Sequence, residues 1–243
     1  MKTTSPSAKQ NVQRTHDHFY LNVDRKEHPK EYFKFVHEQV LEHAGSLNGK
    51  SVLDIGCATG EFLHFVQSSF PSASLNGVDV MPDLLERARQ VVPKASFSEA
   101  DISSNHFQAS AKYDAVFMLG VHSIFDDLKW LDNSVALLKP GGYFFCFGIF
   151  NPVDIDVFIK ARKRGSDTLE SGWNVISKST VHDHLKNLGL EGAFVPWSIS
   201  IPVSANQADP LRSWTVQQAD GSFEIRNGLQ LVHTFHLLRV SQG

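Results

Sequence analysis

Short apolar runs alternate with stretches of helical periodicity through the middle of the chain. The apolar runs are short enough for strands buried on both faces of a sheet. They are Ser51–Ile55, Ser74–Val80, Ala95–Ser98, Tyr113–Leu119 and Tyr143–Ile149. Apolar residues recur at helical spacing between most of them, in Glu61–Phe70, Pro82–Val91 and Asp126–Leu138. This alternation predicts right-handed βαβ units, and therefore an α/β fold with a mostly parallel sheet between two layers of helices.

The flanking segments have less regular patterns. A helix is predicted to begin near Pro29 and to end at Gly45. Beyond Phe150 the patterns predict helices over Val153–Arg164 and Ser179–Leu188, and strands over Ala193–Ile201 and Leu229–Val240. Turn residues in Ser204–Gly228 predict a small hairpin or lid. Because no repeat or linker interrupts the pattern, we expect one domain over residues 1–243, with a tail and lid helix (1–45), a core (50–150) and later elements (151–243).

Composition narrows the class of protein. The chain has 243 residues, a net charge of −3 and two cysteines. It carries neither a secretory signal nor an apolar run long enough to span a membrane, so we expect a cytoplasmic protein with reduced thiols and no membrane partner. The slightly acidic balance argues against a protein built to hold nucleic acid. Two His-Asp-His triplets, His16–His18 and His182–His184, lack the further ligands of a metal site, and we expect no metal.

A glycine turn follows the first predicted strand. Asp54 ends the strand, and Gly56 and Gly60 allow a tight turn into the next helix. The G-x-G-x-x-G spacing of dinucleotide-binding proteins is absent, and the Asp54 carboxylate would repel a pyrophosphate. The turn therefore favours a cationic or amine-bearing ligand over a nicotinamide cofactor.

Acidic residues also end the second and third predicted strands. Asp79 ends the second, where a carboxylate can accept hydrogen bonds from both ribose hydroxyls, and Asp101 follows the third, where it can accept from an exocyclic amine. Because parallel strands place their carboxyl ends along one rim, we expect Asp54, Asp79 and Asp101 to converge on one crevice. Each acid alone has an ordinary alternative, which is capping of the helix that follows it.

Together these motifs resemble the class I S-adenosylmethionine-dependent methyltransferases. The resemblance rests on Val52–Gly60, Gly77–Asp79, Glu99–Ile102, Tyr113–Val116 and Leu137–Tyr143. It implies a Rossmann-like, seven-stranded sheet with an antiparallel last strand, and S-adenosylmethionine as the cofactor. It also implies a cofactor site made of Asp54, Gly56, Cys57, Ala58, Gly60, Asp79, Val80, Asp101, Ile102 and Leu119.

The sequence contains fewer signals for the identity of the methyl acceptor. We expect a small molecule methylated on oxygen or nitrogen, held by the N-terminal segment and by residues after 150, with Tyr20, His122, Trp173 and Arg212 as candidate contacts. His122, just after the fourth strand, is also a candidate general base, although hydrogen bonding to nearby backbone or packing on the adenosine is the more ordinary role of a loop histidine. Three alternatives remain: methylation of RNA, methylation of protein, and a non-catalytic regulator that binds the cofactor. The basic run Lys160–Arg164 is the only signal for RNA.

Overall fold

A computed structural model describes residues 19–21, 28–107, 111–162, 164–208, 211–229 and 231–243. The helices are α1 (Glu31–His43), α2 (Glu61–Ser69), α3 (Pro82–Val91), α4 (Lys129–Val135) and α5 (Lys178–Asn187). The strands are β1 (Ser51–Ile55), β2 (Ser74–Asp79), β3 (Ser96–Glu99), β4 (Tyr113–Leu119), β5 (Leu138–Asn151), β6 (Lys160–Ala161), β7 (Glu170–Ser171), β8 (Ile176–Ser177), β9 (Glu191–Trp197), β10 (Trp214–Gln217), β11 (Phe223–Arg226), β12 (Val232–His233) and β13 (Phe235–Ser241). The predicted triplet His16–His18 lies outside the described residues.

The main sheet has the order β3-β2-β1-β4-β5-β13-β9. Strands β1 to β5 pair in parallel, whereas β13 runs antiparallel to both of its neighbours, β5 and β9. The predicted seven-stranded path with an antiparallel last strand is therefore confirmed. The two-residue strand β8 adds an eighth member by pairing with the end of β5.

Side chains of the central strands alternate between two apolar layers, one on each face of the sheet. On β4, Val116 and Met118 point into one layer, and Ala115 and Phe117 point into the other. The second layer also receives Val36 of α1 and Leu63 of α2, both fully buried. Near-continuous apolar strands thus follow from burial of the sheet on both faces.

The segment Val153–Arg164 was predicted to be helical, and this prediction is wrong. The segment is extended: Val157 pairs with Val175 in an isolated bridge, and β6 pairs with β7. The amide N–H of Ile159 donates to Asn174 Oδ1 at 2.7 Å instead of to a helical carbonyl. Val153, Ile155 and Val157 are spaced by two, and this spacing is that of a strand.

Two predicted boundaries also move. Helix α4 ends at Val135 and not at Leu138, because Leu138 already pairs with Tyr113 in the sheet. Strand β5 consequently begins at Leu138, five residues before the predicted start at Tyr143. The turn signals in Ser204–Gly228 correspond to the predicted hairpin, β10–β11, to which β12 adds a third strand.

Within the described residues, no helix has the length and hydrophobicity needed to cross a membrane. The division of residues 1–243 into a tail with lid helix, a core and later elements stays a prediction.

Candidate active site

The carboxyl ends of β1 and β2 and the residues after β3 form one wall of a cavity, which we call the first cavity. It contains about 940 Å³ of space that protein atoms do not fill. Asp54, Asp79 and Asp101 all line it, so the three acids converge as the topology requires. The other predicted cofactor residues that line it are Gly56, Cys57, Ala58, Val80, Ile102 and Leu119.

Gly60 is the one predicted cofactor residue outside this wall. It begins α2 in a left-handed conformation, with φ of 79°. A Cβ at Gly60 would lie 3.3 Å from the Cβ of Ala88, so its missing side chain lets α2 approach α3. Gly60 thus supports the turn and the approach of the two helices, and its contact with the cofactor stays a prediction.

The glycine turn is held by hydrogen bonds to the neighbouring strand. The amide N–H groups of Gly56 and Cys57 both donate to the carbonyl of Val78, at 2.8 and 3.0 Å. Gly56 has φ of 71°, and a Cβ there would lie 2.4 Å from Cγ2 of Val121. Only glycine satisfies both the backbone conformation and the close approach of Val121.

Asp79 fixes the next residue of the turn. Its Oδ2 accepts a hydrogen bond from the amide of Ala58 at 2.9 Å, and its Oδ1 accepts from the amide of Met81 at 3.0 Å. Ala58 has φ of 45°, which a residue with a side chain rarely adopts, and the bond to Asp79 compensates for that strain. The carboxylate thus holds the backbone of the glycine turn and the backbone at the start of α3.

Asp54 is the most deeply buried of the three acids, at 3% exposure. Burial, and secondarily the charge of Asp79, raises the pKa of its carboxyl well above the usual range, and the cation of Lys30 opposes this shift. A cationic ligand in the cavity would lower that pKa again. Burial likewise raises the pKa of the Cys57 thiol, so Cys57 is not a thiolate nucleophile.

Lys30 belongs to the site although the sequence did not indicate it. Its Nζ lies 3.6 Å from Oε2 of Glu61 and within 5.1 to 5.7 Å of the ring centres of Tyr20, Tyr32 and Phe33. A lysine directly before an amphipathic helix carries no signal of such an environment, since the contacts come from distant parts of the chain.

Two buried polar atoms in the first cavity wall lack a hydrogen-bond partner among the described residues. They are Oγ1 of Thr59 and Oε1 of Glu61. A buried polar atom without a partner costs about 1–3 kcal/mol, which a ligand with matching polar groups offsets. The wall is therefore suited to a polar ligand with cationic and hydroxyl groups.

A second cavity adjoins the first and has about 1440 Å³ of unfilled space, part of which is open to solvent. Tyr20, Trp173 and Arg212, three of the four predicted acceptor contacts, line it, and the fourth, His122, does not. Four residues line both cavities: Tyr20, Lys30, Tyr32 and Gly120. We call these four residues the junction. A Cβ at Gly120 would meet nothing within 4 Å, so the space at the junction is open.

His122 does not line either cavity within the described part of the chain. It is 1% exposed, its ring stacks on Phe150 at 4.4 Å, and its Nε2 lies 3.0 Å from the carbonyl oxygen of Ile149. Burial lowers the pKa of its imidazole to about 4. The structure thus places His122 in a packing and backbone-bonding position, and its role as a general base stays a prediction.

Residues of the second His-Asp-His triplet, His182–His184, and of the basic run Lys160–Arg164 contact other side chains of the fold. Nε2 of His184 lies 2.6 Å from Oδ1 of Asp132, and His182 packs edge-on against Phe194. Lys160 of the basic run forms an ion pair with Asp126. Among the described residues no group of three His, Cys, Asp or Glu side chains is arranged to hold a metal ion.

Comparisons with known proteins agree with this geometry. Residues 52–142 match the model of a family described as "Methyltransferase domain". A trans-aconitate 2-methyltransferase of Rhodopseudomonas palustris is 31% identical over 120 residues, which is 46% of each chain. The chain thus spans less than half the length of this curated relative.

Two solved structures are similar over most of the chain. An amino pentose methyltransferase from Micromonospora echinaspora matches with a TM-score of 0.56 and 14% identity, over 90% of this chain and 94% of that one. The N-methyltransferase NodS from Bradyrhizobium japonicum matches with a TM-score of 0.55 and 20% identity, over 96% and 98%. At these identities the likeness is one of fold.

Proposed function

We propose that this chain transfers a methyl group from S-adenosylmethionine to an oxygen or nitrogen of a small molecule, since residues 52–142 match the model of a methyltransferase domain. One observation carries the proposal: an acid-lined cavity at the strand ends adjoins an aromatic cavity through the four residues of the junction. A cofactor in the first cavity and an acceptor in the second would meet there.

The residues of the first cavity fit the cofactor. Asp79 ends β2, where a carboxylate can accept hydrogen bonds from ribose hydroxyls, and Asp101 and Ile102 follow β3, where the adenine would lie. The buried carboxyl of Asp54 suits the cationic amino group, and Oγ1 of Thr59 is a buried polar atom in want of a partner. Lys30 supplies a cation for the cofactor carboxylate, next to Glu61.

The protein would accelerate the transfer mainly by positioning the cofactor and the acceptor. When bound, the cofactor supplies a methyl group on a sulfonium, which the acceptor atom takes by in-line displacement while the bonding electron pair stays on sulfur. Holding both molecules in that geometry can supply about 7–11 kcal/mol of the barrier reduction without a covalent step by the protein. The aromatic rings of Tyr20 and Tyr32 line the junction, and no general base is assigned.

The relatives support a small-molecule acceptor. The curated relatives are named for trans-aconitate, a small molecule, and the amino pentose methyltransferase shares the fold. The curated relative from Rhodopseudomonas palustris matches only 46% of this chain, and the second cavity is built largely from residues outside residues 52–142. The kind of acceptor is therefore best inferred from the residues that line the second cavity of this chain.

The first experiment tests the cofactor site by calorimetric titration with S-adenosylhomocysteine and S-adenosylmethionine. Asp79→Asn removes the charged acceptor of the ribose bonds, and since one such bond is worth about 1.5–3 kcal/mol we expect binding to weaken roughly 10- to 100-fold. Asp83→Asn, on the exposed first turn of α3, is the matched control. Asp79 also holds Ala58, so Asp101→Asn provides a second variant should Asp79→Asn fail to fold.

The second experiment tests the acceptor class. The protein is incubated with methyl-labelled cofactor and separate metabolite, RNA and protein fractions. Label in the metabolite fraction supports the proposal, and label in RNA or protein alone overturns it. Binding of the cofactor without transfer to any fraction would favour a non-catalytic regulator instead.

A further inference from the structure

The second cavity holds one cation that has no counter-charge. Its charged lining residues are Lys30, Glu31 and Arg212. Lys30 pairs with Glu61, and Glu31 pairs with Lys34 at 2.6 Å, outside the cavity lining. No described residue forms an ion pair or hydrogen bond with the half-buried guanidinium of Arg212. A half-buried cation without a partner is unfavourable, and an anionic ligand group would relieve that cost.

The walls of the same cavity are aromatic. Tyr32 stacks on Phe147 with ring centres 4.6 Å apart, and Phe147 stacks on Phe235 at 5.4 Å. Trp197 stands at 80° to the ring of Phe147, so the stack and the indole form a corner. The remaining aromatic residues of the lining are Phe19, Tyr20, Trp173 and Trp214. Flat apolar walls of this kind select a flat apolar molecule.

Trp173 shows that the wall is held under strain. It has φ of 63°, a left-handed conformation that is unfavourable for a large side chain. Such residues persist where the surrounding structure fixes them, and they cluster at ligand-binding sites. This observation marks the aromatic wall as a binding surface independently of its volume.

Arg212 lies away from the site of transfer. It lines the second cavity but not the first, whereas Tyr20, Lys30, Tyr32 and Gly120 line both. A group bound by Arg212 is thus an anchor, and the methylated atom lies at the other end of the molecule, at the junction.

We propose that the methyl acceptor is a planar, mainly apolar carboxylic acid whose carboxylate is bound by Arg212. This inference rests on the proposed function, of which it specifies the acceptor. The planar fork of guanidinium donors matches the two oxygens of a carboxylate. A phosphate dianion or a tricarboxylate carries more charge than one unpaired arginine balances, and neither matches the apolar walls.

The inference is tested by calorimetric titration with cinnamate and 2-naphthoate, each compared with its uncharged primary amide. We expect the wild-type protein to bind each carboxylate at least about tenfold more tightly than the amide, as a charge-assisted bond implies. Arg212→Gln should remove this preference and leave amide binding unchanged, and Arg212→Lys should retain part of it. Arg226→Gln is the matched control, since Arg226 pairs with Trp214 in the small sheet that begins two residues after Arg212, forms an ion pair with Glu224 and lines neither cavity.

Three results overturn the inference: equal binding of carboxylate and amide to the wild type, equal weakening of both by Arg212→Gln, or no binding of either carboxylate at millimolar concentration. Binding of S-adenosylhomocysteine is measured on the same proteins. If the wild type does not bind it, the proposed function fails while the carboxylate preference remains measurable. If it binds but shows no preference for carboxylates, only the acceptor inference fails.

Discussion

His122 lies in the protein interior, and this position predicts how the stability of the fold changes with pH. Burial lowers the pKa of its imidazole from 6.5 to about 4 in the folded protein, whereas the unfolded chain exposes it to water. Between these two values the unfolded state binds more protons than the folded state. Stability is therefore fully present above about pH 6.5, falls as the pH is lowered, and stops falling below about pH 4.

The size of the effect follows from the two pKa values. The full difference of about 2.5 units corresponds to about 3 kcal/mol, and about 2 kcal/mol of this is lost between pH 7.5 and pH 5. That loss is a large part of the 5–15 kcal/mol typical of a folded domain.

The measurement is urea unfolding at pH 7.5 and pH 5 of the wild type and of His122→Gln. Glutamine does not titrate, and its amide can replace the bond between Nε2 and the carbonyl of Ile149. We expect the stability difference between the two proteins to shift by about 2 kcal/mol in favour of the variant on going to pH 5. The pKa of His236 is also lowered to about 4, first by burial and then by Lys178, but His236 is present in both proteins and cancels.

His106→Gln is the matched control, since it removes an imidazole from an exposed position. Parallel losses of stability in the wild type and His122→Gln would refute the reasoning. The same variant also tests whether His122 acts as a general base. Substitution of a packing residue leaves methyl transfer at neutral pH largely intact, whereas removal of a general base lowers its rate about 10²–10⁴-fold.

Two further predictions concern backbone conformation in the walls of the cavities. In urea unfolding, Gly56→Ala should destabilise the protein more than Gly45→Ala. Both substitutions place a Cβ at positive φ, but only the Cβ at Gly56 meets Val121, at 2.4 Å. Equal losses of stability in the two variants would contradict a steric clash between residue 56 and Val121. Trp173→Gly should be more stable than Trp173→Ala by about 1 kcal/mol, since alanine keeps the strain at φ of 63° that glycine removes. Both Trp173 variants should weaken binding of 2-naphthoate, and a more stable alanine variant would argue against strain.

Much of the fold follows from local patterns. The strands Ser51–Ile55 and Tyr113–Leu119 and the helix Pro82–Val91 lie where the hydrophobic pattern predicts them. These elements are buried on whole faces, so their periodicity is strong. The helix predicted over Val153–Arg164 is wrong because the apolar residues of this segment are largely exposed, so their spacing does not report burial of one face. Hydrogen bonds with residues 174–177 fix its extended conformation.

The convergence of the three acids on one cavity could be predicted because chain topology alone brings the carboxyl ends of the strands together. Parallel strands align their carboxyl ends, so Asp54, Asp79 and Asp101 had to converge once the strands were identified. Sequence could not separate a residue in the wall from one behind it, as with Gly60. It also could not place His122, whose exposure depends on Phe150 and Gly148 packing against its ring.

The sequence by itself therefore determined the central strands, their parallel direction and the acidic rim, since these depend on periodicity and on the way parallel strands align their carboxyl ends. Only the tertiary structure decided which polar groups lack partners. Lys30 acquires Glu61 and three aromatic rings from distant segments, whereas Arg212 enters an aromatic cavity without any described counter-charge. Partners of this kind are set by packing between segments far apart in the chain, and no local pattern encodes them.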